Sequence, residues 1–295
     1  MKFAAIDIGS NAIRLLIEEV HIDEGKYHIE KVSLTRIPVR LGEDVFTKGK
    51  ISKNKTSQLV KTMKAFWYLM DVHDIEYYRA CATSAMREAK NKRQVIKKVR
   101  DESNVEIEIL SGDDEANLIF SNYFAQNLSV KDNYLYIDVG GGSTELTLIK
   151  NGKRIKGKSF ELGTVRMLSG AVDRKVWTEV KKWIQTTVTQ SDNFTAIGTG
   201  GNINTLFKFA GKKPTQTLSL DELNDHYEMI KKLSVDQRIT KLKMKPDRAD
   251  VIIPACEIYQ RVMGYAGITE MLVPKIGLAD GIILDLFENW QLENA

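Results

Sequence analysis

A ten-residue pattern occurs twice in this chain, and it limits the folds open to it. Ile6-Asp7-Ile8-Gly9-Ser10-Asn11-Ala12-Ile13-Arg14-Leu15 aligns without gaps on Ile137-Asp138-Val139-Gly140-Gly141-Gly142-Ser143-Thr144-Glu145-Leu146, Asp138 standing 131 residues after Asp7 (138 − 7). Each copy reads as an apolar strand closed by an Asp, a tight glycine turn and a second apolar strand, which together make a hairpin. Glycine permits positive φ and close approach of a ligand, and successive N–H groups at such a turn form an anion-binding concavity. Phosphate is the expected guest. One such turn is commonplace and mostly structural. Two in register, each with hydroxyl or amide residues (Ser10 and Asn11; Ser143 and Thr144), point to a phosphate site.

The repeat offset is domain-sized, and 295 residues suffice for two domains, each with its own core. Strand-like runs at 3–7, 15–20, 77–81, 106–110, 134–139 and 146–149 are separated by helical ones at 56–72, 93–102, 113–127, 176–189, 221–233, 249–264 and 279–289. This mix predicts an α/β protein. A polar turn at 127–133 places the boundary between an N-terminal lobe, 1–126, and a C-terminal lobe, 127–295, whose last helix is free to pack back on the first. The active cleft is expected between the lobes. A third glycine turn, Gly198-Thr199-Gly200-Gly201-Asn202, follows a short strand at 195–197 and opens a helix at 203–210. It is either an anion or nucleotide site at a helix N-terminus or an ordinary connection.

Composition excludes little beyond extremes. A net charge of +4 demands neither a nucleic acid nor a membrane partner. Lysines gather at Lys150, Lys153, Arg154, Lys156 and Lys158, and at Lys241, Lys243 and Lys245, as a solvated face or a polyanion track. No run of about 18 uncharged apolar residues occurs, and Asp7 interrupts the first apolar run against a signal peptide, so a cytoplasmic location is expected. Cys81 and Cys256 are too few for a disulfide framework and read as small buried hydrophobes. Long helices near both termini would allow a homodimer, although their apolar faces are expected to pack internally.

The chain resembles the exopolyphosphatase/guanosine pentaphosphate phosphatase (Ppx/GppA) family, a branch of the actin and sugar-kinase superfold. The matching motifs are Asp7-Ile8-Gly9-Ser10-Asn11 with Arg14; Ala82-Thr83-Ser84-Ala85-Met86-Arg87-Glu88-Ala89 with Asn91; Leu110-Ser111-Gly112 through Glu115-Ala116 with Phe120; Asp138 through Leu146; Phe160-Glu161-Leu162-Gly163-Thr164-Val165-Arg166; and Gly198-Thr199-Gly200-Gly201. Four positions depart from the family pattern: Ala12 for Ser or Thr, Asp114 for Glu, and Ala279 and Asp280 for Arg and Glu within Gly277-Leu278-Ala279-Asp280-Gly281. The chain ends soon after residue 290, as in the family's short form. The resemblance implies an actin-like (ribonuclease H-like) duplicated fold and release of terminal phosphate from inorganic polyphosphate or a guanosine polyphosphate.

Phosphoryl release needs charge neutralisation on the phosphate, an in-line water and a group that orients or deprotonates that water. By resemblance Glu115 is the general base; read without the family, Asp113, Asp114 and Glu115 equally suit a helix N-terminus. Asp138, Glu145 and Asp7 are hard oxygen ligands beside phosphate loops, the setting for Mg2+ or another divalent cation, although Asp7 could instead order its own turn. Phosphate-binding candidates are Gly9, Ser10, Asn11, Arg14, Thr83, Ser84, Arg87, Gly140, Gly141, Gly142, Ser143, Thr144 and Arg166, with Gly198, Gly200 and Gly201 at the third turn. Arg14 and Arg166 could equally be ion-pair residues. An actin-like kinase and a non-catalytic nucleotide or polyphosphate sensor remain open on the same fold.

Overall fold

The first copy of the repeat is a hairpin of β1 (Lys2–Ile8) and β2 (Ile13–Asp23), paired from Lys2↔Glu19 to Ile8↔Ile13. After β3 (Lys26–Ile37) come α1 (Leu41–Lys48), α2 (Lys53–Val72), β4 (Tyr77–Ala82), α3 (Ser84–Glu88), α4 (Lys92–Ser103), β5 (Ile107–Ile109) and α5 (Gly112–Ser121). The second copy is the hairpin of β6 (Asn133–Val139) and β7 (Thr144–Lys150), followed by β8 (Lys153–Phe160), α6 (Thr164–Leu168), α7 (Arg174–Thr187), β9 (Phe194–Thr199) and α8 (Gly201–Phe209). The chain closes with β10 (Thr217–Ser219), α9 (Leu220–Lys231), α10 (Val235–Thr240), α11 (Pro246–Ala249), α12 (Ile252–Ala266), β11 (Glu270–Leu272) and α13 (Leu278–Asn294). This is a computed structural model, and it describes residues 1–24, 26–121, 128–189 and 193–294.

Two units emerge, Met1–Ala125 with Gly277–Ala295, and Gln126–Ile276. Helix α13 thus belongs to the first unit, and the second closes at Ile276. The boundary residues 126 and 127, and the end of the helix expected over 113–127, lie outside the described residues.

The sheets repeat one topology. The first runs β3-β2-β1-β4-β5, and the second runs β8-β7-β6-β9-β11 with β10 added at the edge. In both, the opening hairpin is antiparallel and the first strand is parallel to its other neighbour, β4 or β9. This is the actin-like, ribonuclease H-like α/β fold in two copies.

Strand β1 is buried on both faces, which explains its continuous apolar run. Ile6, Ile8, Ile13 and Leu15 pack in one core with Leu59, Met63 and Phe66 of α2. On the other face Phe3 meets the Phe287 ring of α13 edge-on at 6.0 Å. In the second unit Ile137, Leu146 and Leu148 share a core with Val180 and Ile184 of α7 and with Tyr259 and Val262 of α12. Strands β3 and β8, absent from the sequence expectation, lie on sheet edges and are largely exposed. Solvated edge strands lose the alternation that marks a half-buried strand, and lysines are favoured there. Both cysteines are free and buried. Among the described residues no helix is long and apolar enough to cross a membrane.

Candidate active site

In the first unit, strands β1, β4 and β5 run parallel and end together, and ligands of such sheets bind beyond the carboxyl ends of the strands. The turn after β1 is closed by the Gly9 N–H, which donates to Ala12 O at 3.1 Å. Its carbonyls face inward, Asn11 O accepting from the Arg40 N–H at 2.9 Å and Ser10 O from the Gly42 N–H at 2.8 Å. Ser10 and Ser84, both buried, share a 2.8 Å hydroxyl hydrogen bond, and the Ala85 N–H donates to Ser10 Oγ. These bonds pin the β1–β2 turn to the β4–α3 turn. The Thr83 N–H donates to Ile8 O, extending the same seam.

Beside this seam, Arg87 Nη1 donates to Leu110 O at 2.7 Å and stands 3.7 Å from Glu115 Oε2. The Glu115 side chain is only 9% exposed, in the first turn of α5. The three acids of that turn have separate places. Asp114 exchanges hydrogen bonds with Ser111, its Oδ2 accepting from Ser111 Oγ at 2.6 Å, and this holds its carboxyl below the usual range. Glu115 points to Arg87 instead. Ser111 caps the helix, its Oγ accepting the Asp114 N–H, and Asp114 returns the bond, while Glu115 lies in the same first turn on the Arg87 side. Arg14 sits directly across the hairpin from Asp7 and forms an ion pair with its Oδ2 at 2.5 Å. Each thereby occupies a polar group of the other.

The second unit repeats the turn: the Gly140 N–H donates to Ser143 O at 3.0 Å. The carbonyls of Gly140 and Gly141 accept the N–H groups of Thr164, Val165 and Arg166 at the start of α6. Arg166 Nε donates to Gly142 O at 2.7 Å, and its side chain is 6% exposed. Arg166 thus braces the glycine turn. Gly163 is packed against it so tightly that a Cβ would lie 2.4 Å from Gly142 N. A turn whose carbonyls are bound elsewhere can present its N–H groups to an anion. Ser143 and Thr144 are buried, the Thr144 hydroxyl donating to Leu162 O.

Where the first hairpin pairs Asp7 with Arg14, the second pairs Asp138 with Glu145. Like charges directly opposite on antiparallel strands are destabilising unless something positive joins them. Thr199 Oγ1 donates to Asp138 Oδ1 at 2.6 Å, and Ser159 Oγ donates to Glu145 Oε1 at 2.7 Å. Two hard carboxylates, each oriented by a hydroxyl, fit Mg2+, which takes one or two carboxylates and completes its octahedron with water and phosphate oxygens. Among the described residues no group of three or more His, Cys, Asp or Glu forms a fuller cage.

At the third turn Gly200 has φ +106°, and a Cβ there would meet Val139 O at 3.0 Å. This glycine is required by the backbone. Gly198 lies under Met271, and Gly201 opens α8 beneath the Arg248 guanidinium. Tyr259, fully buried, donates its hydroxyl to Thr199 O, and burial with the Asp138 charge pushes its phenol well up. Ser159 and Tyr259 escaped the sequence reading and Thr199 entered it only as part of the third glycine turn, because only strand pairing and helix packing bring Ser159 to Glu145, Thr199 to Asp138 and Tyr259 to Thr199. Strand register also settles how the β8 lysines lie. Lys158 and Lys156 pair with Leu146 and Leu148, so they project from the face opposite Glu145 and do not continue its site.

Comparison with known proteins bears on the family and the fold. Residues 20–290 match the model of the Ppx/GppA phosphatase family. A bifunctional 3-dehydroquinate synthase/phosphatase of Fusobacterium nucleatum is 31% identical over 97% of this chain, which spans about half (46%) of that protein's length. Exopolyphosphatase 2 of Mycobacterium tuberculosis is 26% identical, with 97% of this chain and 98% of that protein covered. An exopolyphosphatase structure from Cytophaga hutchinsonii has the same fold, with TM-score 0.83 and 22% identity over 98% of both chains. By its family match, its duplicated sheet and the sequence motifs at both glycine turns, the chain belongs to the Ppx/GppA phosphatase family.

Proposed function

We propose that this protein is a Mg2+-dependent hydrolase that releases terminal orthophosphate from inorganic polyphosphate. The observation that carries this reading is the Glu115 carboxylate, nearly buried and 3.7 Å from Arg87 at the carboxyl ends of β4 and β5. Glu115 accepts a proton from water, the water oxygen bonds to the terminal phosphorus, and the anhydride P–O bond breaks, leaving the shortened chain with the electron pair. Arg87 provides a guanidinium donor for phosphate oxygens. Backbone N–H groups of the first glycine turn take further oxygens, and in the second unit Arg166 keeps the corresponding turn in shape. Asp138 and Glu145 would hold Mg2+, which when bound neutralises charge on the phosphate oxygens. Arg14 fits a positioning part better than direct phosphate contact, since it neutralises Asp7. The exopolyphosphatases among the relatives support the substrate class.

The test is orthophosphate release from polyphosphate by the purified protein, with Mg2+ and with the metal chelated. Metal-dependent release supports the reading. No release from polyphosphate of any length would overturn it.

A further inference from the structure

Two segments of the first unit are strongly basic. Residues 45–70 hold Lys48, Lys50, Lys53, Lys55, Lys61 and Lys64 and no acid; residues 89–100 hold six more Lys or Arg and no acid. The fold fastens the two together. Asn91 Nδ2 donates to Ile51 O at 2.8 Å, Asn91 Oδ1 accepts from the Ile51 N–H at 3.0 Å, and the Lys90 N–H donates to Gly49 O at 3.0 Å. Residues 48–53 therefore lie alongside residues 90–93, and Lys50, Lys53, Lys90 and Arg93 are exposed. Lys92 Nζ donates to Arg87 O at 2.6 Å, so this collar starts at the candidate phosphate residue. Farther along α4 the charges are neutralised within the chain, Lys97 by Asp101 and Lys98 by Glu102.

We propose that the collar formed by residues 48–53 and 90–93 binds the phosphates behind the one being cleaved, so that the substrate is a linear polyphosphate several phosphates long. This rests on the function proposed above. Crowded like charges repel, and a paired-loop arrangement that holds them together is relieved by a polyanion. The collar presents mainly ammonium groups and no aromatic face, which suits a repeating phosphate chain and gives a nucleoside base nothing to stack on. Lys48 is partly neutralised by Asp44 at 3.1 Å; Lys50, Lys90 and Arg93 are the residues to test.

The experiment compares wild type with Lys50→Gln/Lys90→Gln/Arg93→Gln and with a control triple, Lys231→Gln/Lys232→Gln/Lys241→Gln, on the second unit. KM is measured for long-chain polyphosphate and for tripolyphosphate, and binding of end-labelled long-chain polyphosphate is measured separately without turnover. The collar triple is expected to raise KM and weaken binding for the long chain on the order of tenfold at low salt. It should also flatten the log–log salt dependence of binding by about 2, since three phosphate charges are no longer neutralised by the protein. Tripolyphosphate release and the control triple should match wild type. Equal long-chain binding by wild type and the collar triple overturns the collar, as does displacement by an RNA oligonucleotide of equal charge with equal affinity. Collar-dependent binding without phosphate release by wild type would sustain the collar while removing the hydrolase.

Discussion

At the scale of single residues, the repeat performs a comparison within one molecule. The position seven after the strand-ending Asp is Arg14 in one hairpin and Glu145 in the other, so one turn is internally neutralised and the other carries paired carboxylates. Asp138→Asn and Glu145→Gln should each raise the Mg2+ concentration needed for half-maximal orthophosphate release by about 10-fold or more, measured by metal titration; loss of one hard ligand has that order of cost. An unchanged midpoint would remove the pair as the cation site. Glu18 makes a separate prediction. It is buried, with Asp280 adding negative charge and Lys31 3.9 Å away, and its pKa is pushed from 4.5 up to about 7. A folded-state pKa above the unfolded one favours the fold below pH 4.5, and this contribution is lost as pH rises through about 7. Glu18→Gln should therefore be more stable than wild type by about 2 kcal/mol at pH 8, with the difference closing toward pH 5 in urea melts.

At the scale of elements, the glycine turns depend on what is packed behind them. Gly163→Ala would push a methyl group into the backbone of Gly141 and Gly142. The expected result is a loss of about 1–3 kcal/mol in thermal or urea unfolding, together with about a 100-fold fall in kcat/KM as the turn is displaced. A wild-type kcat/KM would show that the turn's position does not matter to turnover. The hairpins and their Asp–Gly turns were legible in the sequence because both strands of each are buried and apolar and the pattern recurs in register. Edge strands β3 and β8 were not, since exposure removes the periodicity. Glu115 was singled out by its motif alone, and its separation from Asp114 needed the Ser111 hydrogen bonds. Ser159 reaches Glu145, and Tyr259 reaches Thr199, only through pairing and packing far along the chain, which no local spacing encodes.

At the scale of the whole molecule, duplication provides two sheets of one topology that differ at equivalent positions, Arg14 in the first standing where Glu145 stands in the second. Helix α13 completes the first unit from the far end of the chain, covering Phe3 with Phe287 and meeting β4 through the ion pair of Arg79 and Asp285. Removing residues 277–295 should expose that apolar face and abolish the cooperative thermal transition of the first unit, followed by calorimetry; an unchanged transition would show that α13 is dispensable. For Glu115 as the proposed base of a metal-dependent phosphate-chain hydrolase, the decisive readout is orthophosphate release. Wild type and Glu115→Gln are compared on long polyphosphate, short polyphosphate, guanosine pentaphosphate and ATP, with and without Mg2+. Release is expected to need Mg2+, to be fastest on polyphosphate and to fall about 10²–10⁴-fold in the variant, whereas equal release by both proteins would remove Glu115 as the base.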